Sequence, residues 1–485
     1  NRIINKYMKN YSRRKFLKTS SLSAASAVAV SGLINNSCKD QNISDSLGKY
    51  MGGYAAPKLK NIRVAFIGLG YRGTGHLSYF GGLPGTEVVA ISDLYQDNIE
   101  RSHALLIEKY GKERFTDIKK YWGDENKWKK MLKENKPDIV FISTNWINHA
   151  PMAIKSMENN AHAFVEVPMA TTIEDMWKIV NMSEKKQKHC MMLENVNYFR
   201  AEMMFLNMIR QNFIGELQHA EAAYIHDLRG QMNQEDRGTG SWRTLHYANS
   251  KGNLYPTHGL GPVAQYMNLA RTEDTFKSIV SYSSPSMGRK LYAEKNYPKN
   301  HKWNKLDYQN GDLNTSIIKT QLGRTILVQW DETSPRPYSR INLIQGTKGV
   351  LSGHDLYTGK ENKHNNPVRI ALDGGVDGIT DSSHSWVSGK NLQEIIEKYD
   401  HPFWKRLKNS AKGSDHGGSD GIMLSRIAEC LHNGIPLDQN VYEGCFWSSV
   451  TPLTAKSIEQ NGAPQLFPDF TRGNWKTTKP LEIVS

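Results

Sequence analysis

The clearest pattern in the chain is an apolar run that ends in three regularly spaced glycines. Residues 63–68 read Arg-Val-Ala-Phe-Ile-Gly, and Gly70 and Gly73 complete the spacing Gly-x-Gly-x-x-Gly. A second apolar run, Val88–Ser92, ends at Asp93, which lies twenty residues after Gly73. The order of strand, glycine turn, helix and second strand predicts the start of a doubly wound parallel sheet.

The glycine turn has the spacing that binds a dinucleotide. Gly68 allows the tight turn, Gly70 lets the backbone approach a pyrophosphate, and Gly73 lets the helix pack closely on the strand. The helix that begins near Tyr71 points its free N–H groups at the phosphates. Asp93 accepts hydrogen bonds from a ribose 2′-hydroxyl, which favours NAD over NADP. The alternative is a glycine-rich turn that binds no ligand.

Three further apolar runs continue the parallel sheet: Pro137–Thr144, Ala161–Pro168 and His189–Asn195, with a helix over Thr172–Lys186. In such sheets ligands bind beyond the carboxyl ends of the strands. We therefore expect the residues at these ends to border the cofactor. They are Trp146, Ile147, Asn148, His149, Glu166, Val167 and Asn195.

The pattern changes near residue 197. A helix is expected over Glu202–Gln211, and strand-like segments then follow one another, several without crossover helices, which favours a largely antiparallel sheet. These segments are Leu217–His226, Phe276–Ser283, Leu313–Leu322, Thr325–Trp330 and Ser339–Gln345. Helices are predicted again over Ser419–Asn433 and Val450–Glu459. The predicted fold is a Rossmann α/β domain over residues 61–197, followed by an α+β domain with an open sheet over 198–485.

The segment before the first strand has the form of a twin-arginine export signal. Ser12-Arg-Arg-Lys-Phe-Leu-Lys18 precedes a mildly apolar run, Thr19–Leu33, which is too short and too polar to span a membrane. A signal over residues 1–37 and a linker over 38–60 are expected, with Cys38 as a candidate lipidation site. Twin-arginine export moves folded proteins, often with a cofactor already bound, so the motif predicts a periplasmic location. The alternative is a basic amphipathic N-terminus.

Charge and cysteine content exclude some classes of function. The 485-residue chain has a formal charge of +14, but seven of its lysines and arginines precede Cys38, where there is no acid. The remaining charge is spread thinly, so no nucleic-acid partner is expected. The four cysteines show no metal or disulfide spacing, and no metal is expected.

A Glu-x-Pro signature, Glu166-Val167-Pro168, ends the fifth predicted strand. A Rossmann domain with this signature and a following open sheet resembles the Gfo/Idh/MocA oxidoreductases. Most members of that family read Glu-Lys-Pro, and the lysine assists proton transfer. Valine stands at that position here, and the absence of the lysine weakens the interpretation as a plain sugar-alcohol dehydrogenase.

Short motifs in the rest of the chain are more specific than the glycine turn. They are Met192-Leu-Glu-Asn195, Tyr224-Ile-His-Asp-Leu-Arg229, Trp242-Arg243-Thr-x-His246-Tyr, Tyr255-Pro-Thr-His258-Gly, Arg336-Pro-Tyr338 and Asp415-His-Gly-Gly418. From about Arg63 to Trp475 this series resembles glycoside hydrolase family 109, the NAD-dependent α-N-acetylgalactosaminidases. The chain departs from the family at Trp146–His149 and in the polar loop Gly230–Ser241.

The resemblance implies a glycosidase without the usual pair of catalytic carboxylates. It implies that hydride passes from the sugar C3 to tightly held NAD, which acidifies the C2 proton. Loss of that proton expels the oxygen at C1, water adds to the enone, and the hydride returns, with retention at the anomeric carbon. Such an enzyme regenerates NAD in each turnover, which suits an exported protein.

The resemblance also implies roles for individual residues. Tyr71 and Arg72 lie on the pyrophosphate. The substrate contacts are Tyr224, Arg243, Tyr255, Pro256, Thr257, His258 and Tyr338. An imidazole titrates near neutrality, so His258 is expected to take the C3 hydroxyl proton, while Tyr255 or Tyr224 acts at C2 or at the leaving oxygen.

Several of these residues could instead serve only to stabilise the fold. His258 is alternatively a core hydrogen-bonding residue, Tyr255 sets a turn before proline, and Arg243 forms a surface ion pair. His416 either lies near the crevice or caps the helix that follows it.

Three classes of function remain open. The first is an exo-glycosidase that acts on glycans with a terminal α-linked N-acetylgalactosamine or a related sugar. The second is a periplasmic NAD-dependent sugar or inositol dehydrogenase, and the third is a non-catalytic carbohydrate-binding relative. The open sheet face allows a homo-oligomer, and membrane attachment is expected only if Cys38 is lipidated.

Overall fold

The computed structural model describes residues 48–356, 366–376, 378–409 and 411–483. The predicted export signal over residues 1–37, Cys38 and the first part of the predicted linker 38–60 lie outside the described residues. From Gly48 onwards the chain forms one compact unit, in which a parallel sheet is followed by a larger mixed sheet.

The parallel sheet is built from the apolar runs of the first half of the chain. Its strands are β1 (Ile62–Ile67), β2 (Thr86–Ser92), β3 (Lys119–Tyr121), β4 (Ile139–Ile142), β5 (His162–Val165) and β6 (Cys190–Met192). Its helices are α1 (Tyr71–Phe80), α2 (Gln96–Tyr110), α3 (Lys127–Asn135), α4 (Trp146–Glu158) and α5 (Ile173–Lys186). The strand order is β3-β2-β1-β4-β5-β6. The strand order reverses between β1 and β4, and the crevice beyond their carboxyl ends is where such sheets bind ligands.

The second sheet has nine strands. After α6 (Arg200–Arg210) come β7 (Leu217–Ile225), α7 (Thr239–Asn249), α8 (Thr257–Tyr266), β8 (Phe276–Ser283), α9 (Gly288–Asn296), β9 (Asn314–Thr320), β10 (Thr325–Asp331), β11 (Leu343–Gly346), β12 (Gly349–Ser352), β13 (Arg369–Leu372) and β14 (Val387–Ser388). The last elements are α10 (Gln393–Tyr399), α11 (Pro402–Leu407), α12 (Ser419–Asn433), α13 (Val441–Glu459) and β15 (Gln465–Leu466).

The nine strands lie in the order β14-β13-β12-β11-β7-β10-β9-β8-β15. Among the named strands of this second sheet, only β7 and β10 pair in parallel, and the other neighbouring strands are antiparallel. The predicted fold class, a Rossmann domain followed by an open and largely antiparallel sheet, is confirmed. The exact boundary at residues 197 and 198 stays a prediction.

The predicted strand Ser339–Gln345 is largely wrong, because the strand β11 begins only at Leu343. Ile341 and Asn342 have φ angles of 60° and 54°, in the left-handed region, which cannot continue a strand. Ser339 forms only an isolated bridge with Ile225.

The predicted helix Val450–Glu459 is too short, because α13 begins at Val441. The Asn440 side chain accepts hydrogen bonds from the backbone N–H groups of Tyr442 and Glu443, and the Glu443 side chain accepts one from the N–H of Asn440. This reciprocal capping box fixes the helix start, which the apolar pattern alone does not reveal.

The C-terminal helices join the two sheets. Helix α12 packs against α1, where the hydroxyls of Tyr79 and Ser425 lie 3.0 Å apart. Helix α13 packs against β8 of the second sheet and against β6 of the first. Among the described residues, no helix is long and apolar enough to cross a membrane.

Helix α8 lies directly on the backbone of β7. A Cβ atom at Gly259 would lie 2.4 Å from the amide nitrogen of Ala223 and 2.6 Å from its carbonyl oxygen. Glycine is therefore required for this close approach, which brings the first turn of α8 beside the end of β7.

We predict that Gly259→Ala lowers the free energy of unfolding by about 2 kcal/mol, because backbone atoms cannot make room for the methyl group and the cost of overpacking exceeds the gain in helix propensity. Urea unfolding followed by circular dichroism measures this change. Gly230→Ala is the matched control, since a Cβ there meets no atom within 4 Å. Equal stabilities for the two variants would contradict the packing of α8 on β7.

Candidate active site

The glycine turn between β1 and α1 is tightly packed except at one position. A Cβ at Gly73 would lie 1.8 Å from the carbonyl oxygen of Gly68, and one at Gly68 would lie 2.5 Å from the carbonyl oxygen of Ser143. A Cβ at Gly70 would meet no atom within 4 Å. The N-terminus of α1 thus opens onto free space at Gly70, as the approach of a pyrophosphate requires.

Asp93 is fixed at the end of β2 by hydrogen bonds to its carboxylate. Oδ2 accepts from the backbone N–H of Leu69 at 2.6 Å, and Oδ1 accepts from the N–H of Tyr95 at 2.9 Å and from Asn98 Nδ2 at 3.0 Å. These bonds hold the carboxylate beside the glycine turn. A carboxylate has about four acceptor sites, so capacity remains for a ribose hydroxyl. Gly70 and Asp93 are therefore arranged as the pyrophosphate and the ribose of a dinucleotide require.

The three residues that open α4 differ in exposure. Trp146 is buried and packs edge-on against the Trp242 ring at 5.0 Å between centroids. Ile147 is 60 % exposed, and Asn148 is partly exposed. Trp146 therefore joins the aromatic cluster of the second domain, and the roles of all three beside the nicotinamide stay predictions.

His149 lies behind the crevice. Its ring is fully buried, with Nδ1 2.7 Å from the carbonyl oxygen of Pro168 and Nε2 3.1 Å from that of Thr144. Burial lowers the pKa of His149, and a neutral imidazole donates from one nitrogen only. The neutral ring therefore donates to one of these two carbonyl oxygens at a time, and any cofactor contact from this residue is left to its backbone.

Arg72, in the first turn of α1, spans two carboxylates. Its Nε donates to Glu166 Oε1 at 3.0 Å, and its terminal nitrogens donate to the two oxygens of Asp420 at 2.6 and 3.2 Å. His76 Nε2 lies 2.7 Å from the same Glu166 oxygen. Burial acts to raise the pKa of Glu166, but Arg72 and His76 outweigh it and hold that pKa far below the usual range.

Asn195 and His416 complete this charged cluster around Asp420, which lies in the first turn of α12. Asn195 Nδ2 donates to Asp420 Oδ1 at 2.8 Å, and His416 Nδ1 lies 2.9 Å from Asp420 Oδ2. His416 Nδ1 is also 3.2 Å from Arg72 Nη1, so His416 lies at the crevice. The bonds to Glu166 and Asp420 use three of the five N–H donors of Arg72, so at most two remain for a pyrophosphate. Tyr71 is exposed, and its hydroxyl donates to Asp415 at 3.3 Å.

His258 and Glu194 form a buried pair across the two domains. His258 Nδ1 lies 2.7 Å from Glu194 Oε1, and the Glu194 side chain is fully buried. An ionised carboxylate only accepts hydrogen bonds, so Nδ1 is the donor of this pair and Nε2 is left outside it. This is the arrangement in which a carboxylate orients an imidazole as a general base.

Tyr255 and Tyr224 pack against the His258 ring. The centroid distances from His258 are 4.8 Å to Tyr255 and 5.1 Å to Tyr224, and both contacts are edge-on. The two tyrosine rings are 4.8 Å apart. Burial raises the pKa of both phenols, which disfavours the phenolate forms. The three residues predicted to be catalytic thus lie together.

The remaining predicted substrate contacts surround this group. Pro256 precedes α8, and Thr257 is fully buried in its first turn. The Arg243 guanidinium lies 5.0 Å from the Tyr255 ring centroid and 5.1 Å from that of Trp146. Tyr338 is partly exposed, and its hydroxyl accepts a hydrogen bond from Arg340 Nη1 at 2.8 Å.

Glu332 lies directly after β10, beside the end of β7. Its carboxyl group is fully buried, and neither oxygen has a hydrogen-bond partner among the described residues. Burial raises the pKa of Glu332 to about 7, although the Arg243 cation acts in the opposite direction. Arg243 and Tyr224 are thus next to an acid that changes charge near neutrality.

Comparison with known proteins now identifies the family. Residues 198–477 match the family described as "Glycosyl hydrolase 109, C-terminal domain", and residues 62–194 match "Oxidoreductase family, NAD-binding Rossmann fold". "Glycosyl hydrolase family 109 protein 1" of Akkermansia muciniphila is 56% identical over 437 residues, 90% of this chain and 87% of the relative. The chain belongs to glycosyl hydrolase family 109. It is a glycosidase that uses NAD.

Two further comparisons are with a curated relative and with a solved structure. A Shewanella oneidensis protein named "Alpha-N-acetylgalactosaminidase" is 47% identical over 478 residues, which are 98% of this chain and 100% of the relative. The structure of an "inositol dehydrogenase homolog complexed with NAD+ from Azotobacter vinelandii" aligns with a TM-score of 0.60 at 14% identity. It covers 85% of this chain and 99% of that one, and at this identity it shows the shared fold alone.

Three acidic residues of this family 109 site are not predicted from the sequence. Glu194 lies inside the motif Met192-Leu-Glu-Asn195, but only the fold shows that it contacts His258. Asp420 and Glu332 carry no local signal, since each becomes part of the site through residues far away in the chain. The specific roles of the predicted site residues stay predictions.

We predict a pH-dependent stability difference between Glu332→Gln and the wild type. The folded-state pKa of this acid, about 7, lies above its ordinary value of 4.5. Its ionisation therefore destabilises the folded protein as pH rises from about 4.5 through 7, and glutamine removes that cost. From pH 5 to pH 8 the variant should gain about 2 kcal/mol relative to the wild type.

Urea unfolding of both proteins at the two pH values measures this gain. Glu158→Gln is the control, because Glu158 is a surface residue that pairs only with Lys155 among the described residues. A difference between Glu332→Gln and wild type that does not change with pH would show that Glu332 does not titrate near neutrality.

Proposed function

We propose that this family 109 member is an exo-acting α-N-acetylgalactosaminidase that cleaves with retention and restores its NAD in every turnover. The observation that carries this proposal is the Glu194–His258 pair, packed with Tyr255 and Tyr224 beyond the carboxyl ends of the NAD-binding sheet. The name of the Shewanella oneidensis relative supports the choice of sugar.

Bound NAD would supply the oxidant for the sugar C3 and the reductant that restores it. His258 Nε2 takes the proton of the C3 hydroxyl as C3 is oxidised. The buried Glu194 carboxylate stabilises the imidazolium that forms, because its charge is 2.7 Å away at Nδ1. The same imidazolium returns the proton when C3 is reduced.

Oxidation at C3 makes the C2 proton acidic. The two tyrosines then transfer protons at C2 and at the leaving oxygen. Tyr255 takes the C2 proton in its phenolate form, which Arg243 stabilises as the cation that most opposes the raised pKa of Tyr255, and it returns the proton to C2 when water adds. Tyr224, whose hydroxyl is 3.0 Å from His226 Nδ1, gives its phenolic proton to the leaving oxygen and takes one back from the water that adds at C1. Arg243 also stabilises negative charge on the enolate.

We also propose that the protein is exported by the twin-arginine route and acts in the periplasm. The support is the sequence Ser12–Lys18 and the chemistry, since a cofactor restored in each turnover need not be exchanged where free NAD is scarce. Lipidation at Cys38 and pairing through the open sheet face are further proposals. Substitution of Arg13 and Arg14 by lysine should retain the protein in the cytoplasm, as cell fractionation would show.

The direct test is release of p-nitrophenol from its α-N-acetylgalactosaminide by the purified protein, with absorbance near 340 nm followed in parallel. We expect release without accumulation of NADH and without added reductant. Accumulation of NADH on free sugars with added NAD would instead indicate the sugar or inositol dehydrogenase. Sugar binding that is unchanged by His258→Ala, without turnover, would indicate the non-catalytic relative.

We predict that Glu194→Gln lowers kcat by at least about 10²-fold while bound NAD is unchanged, because an amide orients the ring but cannot stabilise an imidazolium. Steady-state hydrolysis and the NAD content of the purified variant measure the two effects. Glu158→Gln is the surface control. A Glu194→Gln enzyme with wild-type kcat would exclude His258 as the base.

A further inference from the structure

Three large apolar side chains are exposed together beyond Asp93. Leu94, Tyr95 and Trp122 are 51 %, 39 % and 37 % exposed. Their loops follow β2 and β3 and are joined by a hydrogen bond from the Gly123 N–H to the Leu94 carbonyl oxygen at 3.1 Å. Exposed apolar groups that cluster at a crevice mark a ligand surface, and this one lies at the adenosine end of the NAD site.

A residue of the second domain reaches over this surface. Arg237 Nη1 donates to Asp97 Oδ2 at 2.8 Å, and the guanidinium carbon is 4.0 Å from the centroid of the Tyr95 ring. Asp97 lies in the first turn of α2, and the Arg237 hydrogen bond lowers the pKa of its carboxyl group. Arg237 thus contacts the first domain just beyond the residue that fixes the ribose position.

The segment that carries Arg237 is held firmly on its other side. Glu235 Oε2 lies 2.8 Å from His301 Nε2, and Lys302 Nζ donates to Asp236 at 3.0 Å. The indole N–H of the buried Trp303 donates to the carbonyl oxygen of Met232 at 2.8 Å. Arg237 therefore projects from an anchored segment, so its contact costs little additional ordering.

We infer that Arg237, Tyr95 and Asp97 form a clasp that closes the adenosine end of the cofactor site and retains NAD between turnovers. The inference rests on the proposed function, in which NAD is restored in each cycle and slow release carries no penalty. Arg237 is a positioning residue in this scheme: it holds Tyr95 against the adenosine, and the clasp must open before NAD leaves.

The expected effect is on the rate of NAD release. Arg237→Ala removes both the ion pair and the stacked guanidinium, whereas Asp97→Asn weakens only the ion pair. Partly exposed contacts of this kind have modest individual strength. We therefore expect release to be on the order of tenfold faster in Arg237→Ala and a few-fold faster in Asp97→Asn. Salt should speed release from the wild type more than from Arg237→Ala, because salt screens the ion pair.

The experiment uses the purified protein with the NAD it carries. Each protein is diluted into buffer that contains an NAD-degrading enzyme, and the NAD that remains bound is measured after removal of small molecules at successive times. Arg229→Ala is the matched control, since Arg229 begins the same segment but pairs with Asp227 at 2.8 Å on the surface. Thermal unfolding of every variant checks that the fold is intact.

Faster release from both variants, with Arg229→Ala at the wild-type rate, supports the clasp. Wild-type release rates in Arg237→Ala and Asp97→Asn would overturn it, as would complete loss of NAD from the wild type before the first time point. Hydrolysis of the aryl α-glycoside by the same wild-type sample is a separate readout. A protein that retains NAD but does not hydrolyse the glycoside would refute the proposed function and leave the clasp tested.

Discussion

A fully buried carboxylate just after β6 faces an imidazole in the first turn of α8, and the rest of the site is arranged around this contact. Glu194 belongs to the NAD-binding half of the chain and His258 to the other half. The pair is therefore intact only when α8 lies flat on β7, which Gly259 allows. The same approach sets the rings of Tyr224 and Tyr255 against the His258 imidazole. The Glu194–His258 pair in this family 109 member is thus a consequence of how its two domains pack.

The charged cluster on the other side of the crevice has a comparable origin. Arg72 lies in the first turn of α1, directly after the glycine turn, while Asp420 lies in the first turn of α12. Their ion pair, together with Glu166, ties α12 to the glycine turn. Such buried pairs are strongly destabilising to break singly, because the remaining charge has no partner. The glycine turn is therefore braced by α12, and Arg237 adds a weaker contact beyond Asp93, on Asp97 and Tyr95.

Much of the fold is predictable because its signals are local. Continuous apolar runs, a glycine turn and an acid at fixed spacing specify the parallel sheet, and alternating segments specify the second one. The failures come from positions where tertiary contacts override the pattern. Arg340 turns inward to pair with buried Glu202, and the left-handed residues after it delay the start of the strand expected over Ser339–Gln345 until Leu343. Trp242 and Arg243 lie in α7, whose first residues belong to the segment Gly230–Ser241 that the sequence predicts to be a polar loop.

The site is predictable only in part for the same reason. His258, Tyr255 and Tyr224 stand in distinctive motifs, so they can be named from the sequence. Glu194, Asp420 and Glu332 gain their roles from burial and from neighbours far along the chain. His149 illustrates the converse, since its position after β4 favours a cofactor contact, but the fold directs its ring to two backbone carbonyls.

Hydrolysis in D₂O tests the central claim most directly. Elimination and addition across C1 and C2 require the C2 proton to leave the sugar, whereas direct displacement at C1 does not touch it. N-acetylgalactosamine released from an aryl α-glycoside is examined by NMR, with the free sugar incubated alongside as the control for exchange after release. We expect deuterium at C2 of the released sugar and retained protium at C3. Full hydrolysis with protium at C2 would contradict the redox-assisted route.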